Sequence, residues 1–234
     1  MIISLLGPLL GAFIGVFKKY SKIQIYKMLT FASGVMITIS CVQLLPLSIK
    51  LGNELLAFVG FLLGCFFMWI LNFIIPHYHH SDHESKLKRA SFFLFVGIFI
   101  HNFPEGLAIG AGGVQSLNLS LLVALAIAIH DIPETICISA PLSRTLKNRH
   151  KAFWLAILSG VPTIVGFLFS HYLLIGLSSL YFSLIAASTA GIMLYISSVE
   201  ILWPIYTGKI KKSIIGGYFV LGTIFVILLQ LIVK

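Results

Sequence analysis

Eight long runs of apolar residues leave this chain very few folds to adopt. They cover approximately residues 2–17, 25–49, 54–75, 91–112, 117–140, 152–176, 179–203 and 213–233. A helix needs about 17–25 apolar residues to cross a bilayer. Seven of the runs meet that length, and the first, though short, carries no charge. The runs are continuously apolar rather than alternating, which is the pattern of helices and not of a lipid-facing β-barrel. Charged residues make up only 10% of the chain, against about 25% in an average soluble domain. That is too little charge to coat a globule in water. The expected fold is all-α: a polytopic membrane protein of eight transmembrane helices, forming a single transmembrane domain over residues 1–234 with the lipid bilayer as its surroundings.

A formal charge of +9 would suggest nucleic acid in a soluble protein, but its placement points elsewhere. Lys18, Lys19, Lys22 and Lys27 lie around the first connection, and Lys86, Lys88 and Arg89 in the third. Arg144, Lys147, Arg149 and Lys151 flank the fifth, and Lys209, Lys211 and Lys212 the seventh. Of 16 basic residues, only Lys50 and Lys234 fall outside these alternate connections. The positive-inside rule therefore predicts four cytoplasmic loops in a plasma or inner membrane, with both termini outside. No nucleic-acid partner is expected. The first run has no basic stretch before it, so it reads as a retained helix and not a cleaved signal.

The longest polar stretch, the His-rich loop 77–91, holds His77, His79, His80 and His83 beside Asp82 and Glu84. Such tracts can bind metal loosely, and they can equally be plain solvated loops. Cys41, Cys65 and Cys137 all fall inside spans and define no disulfide framework.

Two internal echoes organise the rest. His101-Asn102-Phe103-Pro104-Glu105 in the fourth span is matched by His130-Asp131-Ile132-Pro133-Glu134 in the fifth. Gly34-Val35-Met36 with Ile39-Ser40-Cys41-Val42-Gln43 in the second is matched by Gly191-Ile192-Met193 with Ile196-Ser197-Ser198-Val199-Glu200 in the seventh. The predicted topology makes each matched pair antiparallel. Inverted repeats of this kind place a transport site at the midplane. The expected layout is 3+2+3, with spans 1–3 mirrored by 6–8 around a central pair.

The central pair carries the chemistry. Only seven acidic residues occur in the chain, and Glu105, Asp131, Glu134 and Glu200 lie within spans. An ionised group at the bilayer centre costs about 2.5–3.5 kcal/mol on insertion scales, and a bound dication offsets much of that penalty. Residues i and i+4 share a helix face, so His101 can join Glu105, and His130 can join Glu134. Asn102 and Asp131 flank those faces. Facing each other, the two helices would offer imidazoles, carboxylates and an amide, a donor set suited to zinc, iron and similar ions. Pro104 and Pro133 should free the carbonyls of Ile100 and Ile129 beside the histidines.

Glu200, with its echo Gln43, can mark the two ends of a path, or can be interfacial or capping. Cys137 reads as a small buried hydrophobe and His171 as interfacial. No phosphate-binding loop appears, so transport would not be driven by ATP. No cofactor is expected, and the metal would be cargo. An intramembrane metal-dependent hydrolase or protease is the alternative, but its His-Glu-x-x-His motif is absent. A passive metal channel on the same site is another.

The paired signature His101-Asn102-Phe103-Pro104-Glu105-Gly106 and His130-Asp131-Ile132-Pro133-Glu134 resembles that of the ZIP (Zrt/Irt-like) metal transporters, nearer their bacterial branch. The likeness extends over the whole chain, through eight helices and the pattern around Glu200. It implies an importer of zinc, with Fe2+, Mn2+, Co2+ and Cd2+ as further cargo, working as a homodimer by moving helices 1, 4, 5 and 6 against the rest. It also implies two metals. One would be held by His101, Glu105, His130 and Glu134, and a neighbour by Asn102 and Asp131, sharing the two glutamates. Some bacterial relatives place a further glutamate after Ser-Gly in the sixth helix. Here Ser159-Gly160-Val161-Pro162-Thr163 puts Thr163 there, which should weaken the second position.

Overall fold

The structure, a computed structural model, describes residues 2–17, 19–74, 83–115, 117–173, 179–208 and 210–233. At 83–90, 111–115, 118–120, 122, 173, 232 and 233 the description is of the backbone alone. The His-rich loop 77–91 therefore falls almost wholly outside the residues whose side chains are described.

Eight helical rods account for nearly all of the described chain. They are α1 (Ile2–Phe17), α2 (Lys22–Leu51), α3 (Glu54–Ile74), α4 (His83–Gln115), α5 (Leu117–Leu146), α6 (two pieces, Arg149–Leu158 and Val161–Leu173), α7 (Ser179–Tyr206) and α8 (Lys212–Val233). Seven are long and apolar enough to cross a membrane. The exception, α1, has 16 residues, about 24 Å at 1.5 Å per residue, against a hydrocarbon core of about 30 Å. Helix ends are set by local chemistry. At the start of α2, the Ser21 hydroxyl accepts from the Gln24 amide at 3.3 Å while the Ser21 amide donates to Gln24 Oε1 at 2.9 Å, a reciprocal capping box. Asn148 caps α6 by accepting the Lys151 amide at 2.9 Å.

Burial runs opposite to that of a water-soluble protein. Large apolar side chains such as Phe13, Leu55, Phe58, Phe73 and Leu231 are exposed on the outside, as lipid contact requires, while Asn102, Glu105, Asp131 and Glu134 of α4 and α5 are inside. The spanning part of α5 is 61% buried, against 22% for α3 and 17% for α8. So α5 is the axis of the molecule, with α3 and α8 at its periphery.

Two groups of helices pack closely within themselves: α1, α4, α5 and α6 in one, α2, α3, α7 and α8 in the other. In the first, α1 lies along α5 and α6 along α4. In the second, α3 lies along α7 and α8 along α2. Exchanging 1 with 6, 2 with 7, 3 with 8 and 4 with 5 reproduces the same set of pairs, which is the 3+2+3 inverted repeat. The match extends to atoms. A Cβ at Gly34 would collide with the Phe219 carbonyl, and one at Gly191 with the Phe61 carbonyl. Gly222 faces the Phe31 carbonyl as Gly64 faces that of Ser188, and Gly166 faces Phe103 as Gly11 faces Ile132. Helix backbones approach this closely only where side chains are absent, the usual device for packing helices in lipid.

The repeat also explains an irregularity that the sequence pattern does not predict. Both α2 and α7 widen into a π turn, at Ser40–Leu44 and Ile196–Leu202. Ser40 donates to the Met36 carbonyl at 2.8 Å and Ser197 to Met193 at 2.7 Å. Pro46 and Pro204 follow, each lacking the N–H that a regular ladder needs. A π turn absorbs such a mismatch and is often found beside functional sites. The antiparallel relation of α2 and α7 is sealed at one end, where Ser48 and Ser183 donate to each other's carbonyls at 2.8 Å.

Candidate metal centre

The His-x-x-Pro-Glu motifs of α4 and α5 lie in the interior. His101, Asn102, His130, Asp131 and Glu134 are at most 5% exposed, and Glu105 is 7% exposed. Both helices run through their prolines without ending. The ligand pairing is crossed between helices, not contained within each. His101 Nε2 lies 3.0 Å from Glu134 Oε2, and His130 Nε2 lies 3.0 Å from Glu105 Oε1. A histidine bonded in this way to its neighbour's carboxylate ties α4 to α5 at two points. His130 Nε2 also lies 3.6 Å from Asp131 Oδ1, too long for a hydrogen bond but close enough for one ion to bridge. Ligand atoms of Glu105, His130 and Asp131 all fall within 4.8 Å of one another. His101 and Glu134 form the adjoining pair.

Asn102 is held differently, and α6 shows why. Its helix breaks at Ser159–Gly160, where the Thr163 amide donates to the Gly160 carbonyl at 3.2 Å. That shift of one residue leaves the Ser159 carbonyl without its usual partner four residues on. Asn102 Nδ2 donates to it at 2.8 Å. The amide is thereby fixed with its Oδ1 free. Gly7 of α1 sits directly against Asp131, and Gly160 packs on Pro8, so α1 and α6 close over the site.

Several buried polar atoms find no partner among the described residues: His101 Nδ1, Asn102 Oδ1, Glu105 Oε2, both carboxylate oxygens of Asp131, Glu134 Oε1 and Thr163 Oγ1. Leaving one such atom unpaired costs about 1–3 kcal/mol. A cluster of them, nearly all acceptors, is an arrangement that a cation satisfies. Thr163 is 2% exposed and lies in the turn that follows the Ser159–Gly160 break. Glu200 is buried at 8% exposure in the π turn of α7 and is not part of the Glu105–His130–Asp131 group.

A cavity of about 610 Å³ reaches Glu105 and His130 from the end of the molecule away from the basic connections. Its walls are the second half of α2 and the first half of α7, with parts of α4, α5 and α8. Most are apolar, but Gln43, Thr189 and Gln230 interrupt them. The last two were not singled out in the sequence. An isolated amide in the otherwise apolar eighth span was the signal available for Gln230.

The family model of the ZIP zinc transporters matches residues 74–230, which is most of the chain and includes both motifs. This chain belongs to the ZIP family. It is 36% identical to the zinc transporter ZupT of Chlorobaculum parvum over 203 residues, 75% of this chain and 76% of that protein. It is 33% identical to the ZupT of Chlorobium chlorochromatii over 216 residues, covering 82% and 81%. Against the ZupT of Salmonella paratyphi A, identity is 30% over 205 residues, covering 82% and 80%. As a ZIP member it is a multi-pass membrane protein of metal-ion transport and not an enzyme, which sets aside the hydrolase reading. The crossed pairs and all the free acceptors except Thr163 Oγ1 lie on α4 and α5, within the residues that the family model matches.

Proposed function

We propose that this ZIP member imports divalent transition metals, zinc first, without ATP, by binding them between α4 and α5. Fe2+, Mn2+, Co2+ and Cd2+ suit the same imidazole and carboxylate donors. His101, Glu105, His130 and Glu134 hold the ion. Asn102 and Asp131 offer a second position beside it, and Thr163 supplies only a hydroxyl there. The observation that carries this reading is the set of unpartnered buried acceptors on two neighbouring helices.

The path follows from the cavity and the charges. With the basic connections in the cytoplasm, the 610 Å³ cavity opens outward and delivers a hydrated ion to Glu105 and His130. The ion exchanges water for imidazole and carboxylate, breaking the His130–Glu105 and His101–Glu134 hydrogen bonds as it enters. Release runs past Glu200 on the basic side. The packing groups supply the moving parts, α1, α4, α5 and α6 shifting as a body against α2, α3, α7 and α8.

The test is zinc uptake into proteoliposomes by the wild type, Glu105→Gln and Glu134→Gln. Saturable uptake that falls at least tenfold in both variants is expected, because each loses an anionic ligand while keeping its shape. Wild-type uptake unaffected by either substitution would place the path elsewhere.

A further inference from the structure

We propose that the groove between α2, α5 and α8 at the basic end of the molecule is a binding site for one anionic glycerophospholipid. In this pose the phosphate lies against Lys27 and Tyr218, and an acyl chain lies along the groove. The inference is independent of the metal chemistry.

The groove encloses about 720 Å³ on the seam where the two packing groups meet. Its floor is apolar: Phe31 from α2, Ile132 and Ile136 from α5, Leu221 and Phe225 from α8. Leu221 is 53% exposed, so the groove opens sideways to lipid. A dry apolar space of this size is not filled by water, which needs polar partners. In a bilayer the material at hand is an acyl chain.

The polar atoms gather at one end only. Tyr20, Gln24, Lys27 and Tyr218 line that end. Lys27 is half-buried, with its ammonium 5.3 Å from the centre of the Tyr218 ring. Among the described residues no carboxylate pairs with it, since every close acid–base contact belongs to the histidines of the metal centre. Arg144 donates to the carbonyl of the lining residue Tyr20 at 3.3 Å, which places a second cation next to that residue. The complement of such a shape is an anion on an apolar tail. Basic pockets between helices at the cytoplasmic side are recognised sites for acidic headgroups. The groove also touches Pro133, the residue before Glu134, so its occupant bears on the helix that carries the ion.

The test is native mass spectrometry of the full chain in detergent with equal amounts of phosphatidylglycerol and phosphatidylcholine. Phosphatidylglycerol should be retained in preference, as a one-to-one adduct. Lys27→Gln should weaken its retention about fivefold, the weight of one cation at an anionic surface. Leu221→Trp, which fills the groove and leaves every charge in place, should also remove the preference. Lys211→Gln, an exposed lysine outside the groove, should retain lipid as the wild type does. Equal retention of the two lipids would overturn the proposal. So would undiminished phosphatidylglycerol binding by Leu221→Trp, because charge alone would then explain it. A lipid-free dimer that Leu221→Trp dissociates would also overturn it, by showing a second copy in the groove.

Discussion

At the level of single residues, the centre separates groups that hold the protein together from groups left free for an ion, and substitutions should tell them apart. The Asn102 amide does both, donating to the Ser159 carbonyl through Nδ2 and leaving Oδ1 unpaired. Asn102→Leu strands a buried carbonyl at the break in α6 and should cost about 1–3 kcal/mol, read as a lower unfolding midpoint in detergent without metal. The Thr163 hydroxyl has no partner among the described residues, so Thr163→Val removes an unpaired group and should leave that midpoint unchanged or slightly raised. A drop as large as that of Asn102→Leu would mean the hydroxyl is bonded after all. Thr163→Glu provides the converse test. With Thr163 at the proposed second position, a carboxylate there should raise zinc stoichiometry in equilibrium dialysis, and an unchanged count would remove Thr163 from that position. The sequence made Glu105, Asp131, Glu134 and Asn102 legible, because intramembrane acids are few and the spacing of their motif repeats; Thr163 was legible only through the resemblance to the family. It did not reveal the crossed pairing of His101 with Glu134 and His130 with Glu105. The i, i+4 rule places both groups of one motif on one face, but it does not say which helix each will reach.

Between elements, the decisive residues are ones with no side chain. Gly34 and Gly222 each bring α2 and α8 into backbone contact. Gly34→Ala or Gly222→Ala should force the pair apart at a cost of about 1–3 kcal/mol, the range for overpacking. Gly216 and Gly217, on the same helix, have nothing within 4 Å of an added Cβ. Alanine there should stabilise α8 by roughly 0.5–1 kcal/mol through helix propensity alone. Midpoints that move the same way for both pairs would contradict the packing described. The echo of Gly34-Val35-Met36 in Gly191-Ile192-Met193 was visible along the chain and foretold the inverted repeat. What each glycine faces was not visible, since a small residue in lipid can equally be unremarkable. The π turns were hidden for a related reason. One residue of extra register in α2 and α7 changes no composition, and only the prolines at 46 and 204 hinted at strain.

For the molecule as a whole, the repeat makes a prediction from an asymmetry. Several positions that line the outward cavity have mirror partners that are packed. Val123, Ala186 and Ala108 line the cavity, while their counterparts Leu94, Leu29 and Cys137 lie in the main hydrophobic core. A transporter with two equivalent halves in unequal states is caught on one side of its cycle. Exchanging the states would empty the core on the basic side and close the cavity. Ala108 and Cys137 make a convenient pair of reporters, because Ala108 is exposed and the native Cys137 is 1% exposed. With Cys41 and Cys65 replaced by serine, Ala108→Cys should react quickly with a membrane-impermeant maleimide applied from the side away from the basic loops. Cys137 should stay unreactive from either side. Under a zinc gradient that drives turnover, Cys137 should become reactive from the basic side while labelling at position 108 slows. Simultaneous reaction of both positions, with no trade between them, would mean a path open at both ends and would replace the carrier with a channel. If Cys137 stays protected during turnover, the mirror half does not open, and the release route lies away from the core that the repeat designates.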